Sequence, residues 1–293
     1  MPQIFFLSSF GKEPTNDNWL RFSNTFQSIG WDVVTIDHES LAIENNTLYG
    51  YDAEYRLFAL NDQVDLFWLI GFGEQTTFLD RMQWLRSLPQ HKFINSVDTL
   101  VYSHGKPYFL LSSLGQYHPR SVVGGRELLI GTVEKGGTWI AKPNAGSFGR
   151  DVFQVSKEDP NYRVILENLT ASGSAMLQTR VSTINEKRLL LGGGKIVGTY
   201  GKKPFDHRGN LAAKSAPTTT SLETHEEELA LTCAWELQQM NICFATLDMA
   251  YPYILDINIA NPGWLQTFEE LTGQDLTLQL VNSIIHACES RYS

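Results

Sequence analysis

The stretch Leu247-Asp248-Met249-Ala250-Tyr251-Pro252-Tyr253-Ile254-Leu255-Asp256-Ile257-Asn258-Ile259-Ala260-Asn261-Pro262 constrains this chain more than any other. Apolar, β-prone residues lie on both sides of Tyr251-Pro252, which predicts a β-hairpin turning there. Side chains two apart on a strand share a face, so Asp256 and Asn258 point the same way and Asp248 meets them from the adjacent strand. Two carboxylates and an amide oxygen make a hard, all-oxygen ligand set. Such a set suits Mg²⁺ carried in with substrate phosphates.

At 293 residues and 42% hydrophobic composition, the chain is large enough for two or three packed lobes. A formal net charge of −9 argues against nucleic acid as the main partner, since phosphate tracking needs a basic surface. Cys233, Cys243 and Cys288 show no C-x-x-C spacing and fit reduced thiols better than a disulfide framework or a zinc site. The apolar runs fall short of the roughly 20 residues of a membrane span, and the N-terminus lacks a basic signal-like region. The expectation is a cytoplasmic protein with no membrane partner. His38, His91, His118 and His225 show no ligand spacing and read as surface residues, whereas Trp235 and Met240 read as packing a helix onto the core.

A β-α-β opening is predicted from Ile4 to Leu7, from Trp19, Phe22, Phe26 and Ile29 at helical spacing before Gly30, and from Trp31 to Asp37. A strand at Asp65 to Ile70, a helix from Thr77 to Leu88 and a short strand at Lys92 to Asn95 complete an open α/β domain with parallel strands. Ligands of such sheets sit beyond the carboxyl ends of the strands, where Gly71-Phe72-Gly73-Glu74 falls. No G-x-G-x-x-G follows the first strand, which leaves a dinucleotide fold unsupported.

Glycines then accumulate, ending in Trp139-Ile140-Ala141-Lys142-Pro143-Asn144-Ala145-Gly146-Ser147-Phe148-Gly149-Arg150 and a further strand. A loop of this composition can wrap its N–H groups around an anion while Lys142 supplies a point charge. Because the lysine precedes the glycines and a strand follows, it is not a Walker A. Gly192-Gly193-Gly194 predicts another strand turn, and Thr224 to Met240 a helix with an acidic first turn.

Lys142-Pro143 with Gly146 and Gly149, Lys187-Arg188 followed by Gly194, Arg208-Gly209-Asn210-Leu211-Ala212-Ala213, and Asp248 with Asp256-Ile257-Asn258 occur in this order. Together they resemble the ATP-grasp carboxylate–amine ligases, in particular the bacterial glutathione synthetase type, over most of residues 95–285. The resemblance implies an α/β chain with the ATP-grasp fold. Its parts would be an N-terminal open α/β substrate domain (1–103), a central subdomain with a Gly-rich lid loop (104–179) and a C-terminal α+β catalytic subdomain with the metal site (180–293). Carried over residue by residue, it makes Lys106 and Lys142 ligands of ATP phosphates, with Gly146, Ser147 and Gly149 in the lid. It makes Gln178-Thr179-Arg180-Val181 the strand that reads adenine through main-chain groups, and Glu186 the acid for the ribose. Arg188, Arg208 and Asn210 lie near the transferred phosphate, and Asp248, Asp256 and Asn258 hold Mg²⁺ or Mn²⁺.

The family usually has Glu where this chain has Asp256. Its Arg-x-Asp-Pro-Pro-Phe-Asp-type segment is replaced by Gly71-Phe72-Gly73-Glu74-Gln75-Thr76-Thr77, its Ala-Ala-Gly-Gly by Ala212-Ala213-Lys214-Ser215, and its Arg before the next proline by Lys202 or Lys203. The implied reaction joins a small-molecule carboxylate to an amine through an acylphosphate, releasing ADP and phosphate. Alternatives are glutathione synthetase itself, a glutamate or peptide-tail ligase, and a non-catalytic nucleotide-binding regulator. A homo-oligomer, dimer or tetramer, is implied by the resemblance alone.

Overall fold

The computed structural model describes residues 1–10, 16–145, 151–203 and 216–292. The N-terminal part contains β1 (Gln3–Ser8), α1 (Asn18–Ser28), β2 (Asp32–Glu44), β3 (Thr47–Tyr51), β4 (Leu57–Leu60), β5 (Leu66–Leu69), α2 (Phe78–Leu85), β6 (Phe93–Ile94) and α3 (Val97–Ser103). Its sheet has the order β4-β3-β2-β1-β5-β6. The four strands from β2 to β6 are parallel, as expected, but β3 and β4 add antiparallel to the edge. The expectation of a purely parallel sheet is thus corrected. Strand β2 runs on past Asp37 through a register irregularity before Ala42 and turns back into β3. In α1, Phe22 and Phe26 are fully buried, and Gly30 takes φ +86° just beyond the helix end.

The central part holds α4 (Pro107–Leu110), β7 (Ser121–Gly124), α5 (Arg126–Glu134), β8 (Trp139–Pro143), β9 (Phe153–Val155), α6 (Tyr162–Leu169) and β10 (Ala175–Thr179), with sheet order β7-β10-β8-β9. The C-terminal part holds β11 (Lys187–Gly192), β12 (Lys195–Lys203), β13 (Ala216–Thr218), α7 (Thr224–Gln239), β14 (Phe244–Ala250), β15 (Tyr253–Asn258), α8 (Leu265–Thr272) and α9 (Thr277–Glu289). Its antiparallel sheet runs β13-β12-β11-β14-β15. Both predicted hairpins form. Gly193 and Gly194 have positive φ, and a Cβ on Gly193 would lie 2.2 Å from the Ser283 carbonyl oxygen. Helix α7 starts in a capping box between Glu223 and Glu226.

The packing divides unevenly. The central subdomain has its own core, including Leu129, Trp139, Leu166 and Leu177. The N- and C-terminal sheets instead share apolar clusters, with Phe22 and Trp68 edge-on to Phe244 at ring-centroid distances of 5.6 and 5.4 Å. Asn95, buried and left-handed at φ +61°, joins these two sheets. Its Oδ1 accepts from the N–H groups of Cys243 (2.7 Å) and Phe244 (2.9 Å), and its Nδ2 donates to the carbonyls of Phe244 (2.7 Å) and Ile259 (2.8 Å).

The expectations for His38 and Trp235 fail. His38 is fully buried against Ser9, and Trp235 is 57% exposed on the outer side of α7. No helix among the described residues is long and apolar enough to cross a membrane.

Asn95→Ala removes all four hydrogen bonds and leaves buried main-chain groups without partners. The expected cost is about 3–5 kcal/mol, read as a lowered denaturation midpoint; a loss below about 1 kcal/mol would contradict the staple.

Candidate functional site

The site forms where the β14–β15 hairpin meets the central subdomain. Asp248 and Asp256 are direct cross-strand partners, and Arg188 on β11 is opposite Asp248 on the other side. The register slips after this pair, so Met249 faces Ile254 and Leu255 is the extra residue of a bulge. The Leu255 carbonyl accepts from Lys142 Nζ at 3.3 Å, and Gln178 Oε1 accepts from the same ammonium at 3.1 Å. A chain irregularity thereby ties the central sheet to the acidic hairpin.

Lys106 lies within 2.6 Å of Asp256 Oδ2, and its own N–H donates to the Asn144 carbonyl at 3.0 Å. Lys202 is inside the site: its Nζ donates to Glu186 Oε1 and Asp248 Oδ1, both at 2.8 Å, while Lys203 is exposed. Of the two lysines that could stand for the family's arginine, only Lys202 reaches the cluster. Arg188 Nε lies 2.9 Å from Asp248 Oδ1, and the Arg188 carbonyl accepts from Trp264 Nε1 at 3.3 Å. Alternation along β11 sends Lys187 elsewhere, to Glu226 and the Ser221 carbonyl at the start of α7.

The electrostatics follow from burial. Desolvation pushes the Lys142 ammonium down to about 8, with Asp256 opposing the shift and Lys106 adding to it. Burial would raise the Asp256 carboxyl, but Lys106 and Lys142 outweigh it and hold that group below the ordinary range. Lys202 and Arg188 are both raised, since Asp248 overcomes the desolvation that would lower each. Glu186 is pushed up to about 7 by burial, in spite of Lys202 beside it. Four cations thus crowd Asp248, Asp256 and Glu186, the last with its ionised form opposed by burial, a local positive excess in an acidic chain.

Glu186 is 4% exposed and accepts from Lys202. The N–H groups of Thr179 and Arg180 donate to the carbonyls of Arg120 (2.8 Å) and Thr138 (3.0 Å). No such main-chain partner is found among the described residues for the Arg180 carbonyl or the Val181 N–H. Gly146, Ser147, Gly149, Arg208 and Asn210 lie outside the described residues.

A divalent cation fits the hairpin on the evidence of one atom. Asp256 Oδ1 is buried and has no hydrogen-bond partner among the described residues, an expensive state for a carboxylate oxygen unless something else ligates it. Asn258 Nδ2 lies 3.4 Å from the other oxygen, Oδ2. Among the described residues, no group of three His, Cys, Asp or Glu side chains is placed to hold a metal ion.

Sequence reasoning missed Tyr200 and His118, and it left Lys202 undecided from Lys203. Tyr200 is fully buried beside Arg188, and its phenol is raised, first by burial. His118 packs near Lys142 and Asp256 with both ring nitrogens closed to solvent, against the expectation of a surface residue. Only pairing of β11 with β12 and of β7 with β10 brings these side chains in, and no local pattern encodes that.

Comparison with known proteins agrees with this geometry. A profile described as "Prokaryotic glutathione synthetase, ATP-grasp domain" matches residues 109–273, more than half of the chain. The glutathione synthetase of Buchnera aphidicola subsp. Baizongia pistaciae is 26% identical over 202 residues, covering 66% of this chain and 62% of that protein. That of Xylella fastidiosa is 30% identical over 167 residues, covering 52% and 51%. The chain thus spans about half to three-fifths of the length of these curated relatives. The crystal structure of the D-cycloserine synthetase DcsG superposes with a TM-score of 0.69 at 12% identity, over 98% of this chain and 99% of that one. A Chryseobacterium gregarium RiPP-associated ATP-grasp ligase, in complex with ADP and a leader and core peptide, gives 0.66 at 14% identity over 99% and 97%. The fold is that of the ATP-grasp ligases, and the chain belongs to the prokaryotic glutathione synthetase ATP-grasp family.

Proposed function

We propose that the chain is an ATP-dependent ligase that joins a small carboxylate to an amine through an acylphosphate, releasing ADP and phosphate. One observation carries this reading: Lys106, Lys142, Arg188 and Lys202 converge on Asp248 and Asp256. Among the described residues only Glu186 adds a carboxylate to this cluster, and burial opposes its ionisation, so the excess calls for an outside anion. A nucleoside triphosphate supplies one.

Lys106 and Lys142 would take the phosphates, each released from Asp256 in part as the polyanion arrives. Arg188 and Lys202 are positioned against the oxygens of the transferred phosphoryl group. Asp248, Asp256 and Asn258 would hold Mg²⁺, or Mn²⁺ in its place, and the bound ion neutralises charge between phosphate oxygens. Phosphorylation of the carboxylate gives it a good leaving group; the amine then attacks the acyl carbon, forming the amide and expelling phosphate. No side-chain nucleophile is needed. The separate core of the central subdomain, residues 104–179 with the lid loop, would let it close as a unit and exclude water from the acylphosphate. Residues 1–103 and 180–293 would form the substrate and catalytic parts.

The substrate is expected to differ from that of glutathione synthetase. The 71–77 loop, which replaces the family's substrate segment, is held by the buried Arg81. That guanidinium donates to the carbonyls of Phe72 and Glu74, each at 2.7 Å, and pairs with Glu39 at 2.7 Å. A second reading is a ligase acting on a peptide. Its support is that the peptide-bound Chryseobacterium ligase matches the chain over nearly its whole length, N-terminal domain included. Small carboxylate and amine substrates remain our first proposal, on the strength of the family match.

ADP release from ATP and Mg²⁺ is expected with one carboxylate–amine pair from a panel of γ-glutamylcysteine plus glycine, amino acids, dipeptides and acidic peptides. Asp256→Asn should cut turnover by about a hundredfold or more at unchanged melting temperature. Undiminished turnover would remove the metal assignment, and no ADP release with any pair would remove the ligase reading.

The free-enzyme value near 8 for Lys142 gives a signed prediction. Phosphates favour the charged ammonium and raise its pKa on binding, so the protein takes up protons as ATP binds in the range just above 8. Nucleotide affinity therefore falls as pH rises through that range. Calorimetry in buffers of different ionisation heat should show uptake in the parent and none in Lys142→Met; equal proton counts in both would contradict the assignment.

A further inference from the structure

One row of the C-terminal sheet crosses four strands: Tyr200 on β12, Arg188 on β11, Asp248 on β14 and Asp256 on β15 are successive direct partners in the register. Residues directly opposite one another share a face, so the row runs from a phenol through a guanidinium to the two carboxylates of the hairpin. Tyr200 is fully buried at its inner end. Its ring packs on Trp264 at a centroid distance of 5.6 Å, and Trp264 stacks on Phe268 at 4.5 Å while donating from Nε1 to the Arg188 carbonyl at 3.3 Å. A phenylalanine would fill this packing equally well. The hydroxyl is the part that packing leaves unexplained, because a buried hydroxyl costs free energy unless a polar group meets it.

That group is the Arg188 guanidinium, the side chain across the register and within reach of the phenol oxygen. Arg188 Nε lies 2.9 Å from Asp248 Oδ1, yet neither Nε nor the Tyr200 hydroxyl makes a hydrogen bond of normal geometry among the described residues. The arginine is thus paired with Asp248 by charge and not by direction, and it stands between two partners. Asp248 Oδ1 is also shared, since Lys202 Nζ donates to it at 2.8 Å. A carboxylate that turns to a divalent cation gives up much of its hold on a neighbouring guanidinium. A neutral phenol makes no such exchange: it accepts an N–H without competing for the ion.

We propose that Tyr200 is a positioning residue, whose hydroxyl holds the Arg188 guanidinium toward the transferred phosphoryl group when Asp248 turns to the metal. This rests on the nucleotide reading above and adds to it the group that aims the arginine. Lys106 and Lys142 hold the polyanion wherever its phosphates are, whereas Arg188 meets only the terminal one, so the effect of Tyr200 is confined to nucleotides that carry it. A tyrosine that served packing alone would act through its ring and would affect every nucleotide alike.

The test is a double-mutant cycle read on two ligands. Binding of ATP and of ADP, each with Mg²⁺, is measured by calorimetry for the parent, Tyr200→Phe, Arg188→Met and the double variant. Arg188→Met should weaken ATP roughly tenfold and ADP by less than about twofold. Tyr200→Phe, which keeps the ring on Trp264, should weaken ATP about fivefold with the same indifference to ADP and an unchanged melting temperature. The double variant should bind ATP no more weakly than Arg188→Met, because the hydroxyl acts only through the arginine. Losses that add in the double variant, equal weakening of both nucleotides by Tyr200→Phe, or no weakening of either overturns the positioning role. An Arg188→Met variant without an ATP-selective loss overturns it as well, and in each of these cases the nucleotide site stands. Failure of the parent to bind ATP overturns the nucleotide reading and this inference with it.

Discussion

Everything in this molecule is arranged around the convergence of lysine and arginine side chains on the carboxylates of one hairpin. Burying charge is costly, and the usual remedy is one-to-one pairing with well-placed hydrogen bonds. Here the pairing is unequal: Asp248 Oδ1 faces both Arg188 and Lys202, and Asp256 is flanked by Lys106 and Lys142. The cations come from different parts of the chain, Lys106 beside α4, Lys142 on β8, Arg188 on β11 and Lys202 on β12. The fold is what assembles them, and burial holds the Lys142 ammonium below its ordinary range in spite of the carboxylates around it.

The two neighbours of the site are held in different ways, and that difference bears on motion. Asn95 and the aromatic contacts to Phe244 fuse the N-terminal sheet to the C-terminal one, so the 71–77 loop and the β14–β15 hairpin belong to one frame. The central sheet meets that frame through polar contacts such as Lys142 with the Leu255 carbonyl, and keeps its apolar core to itself. Ion pairs and hydrogen bonds can be exchanged for contacts to a ligand at little net cost, whereas a shared apolar core cannot be opened so cheaply.

Much of this was legible in the sequence where short-range pattern carries it. The acidic hairpin, the Gly193 turn, α1 and α7 all follow from periodicity, turn residues and caps. The N-terminal sheet was only half legible, because β2 passes through polar His38-Glu39-Ser40 and an irregular register that breaks its alternation, hiding β3 and β4. Side chains whose meaning depends on a distant strand were not legible. Lys202 could not be told from Lys203 along the chain, and His118 looks like a surface residue; pairing of β12 with β11 buries the first, and the second has its ring nitrogens closed off from solvent only in the fold. Trp235 shows the reverse: its apolar character suggested packing, yet its position on α7 turns it outward. The resemblance implied a family and a chemistry but no particular substrate, in keeping with a family match that begins only at residue 109.

The most direct measurement is a crystal structure grown with ADP and Mn²⁺, with anomalous diffraction used to place the metal. The account predicts a metal peak bounded by Asp248, Asp256 and Asn258, the phosphates on Lys106 and Lys142, and the base against Arg180 and Val181. Nucleotide bound away from the β14–β15 hairpin, or a metal held without Asp256, would contradict it.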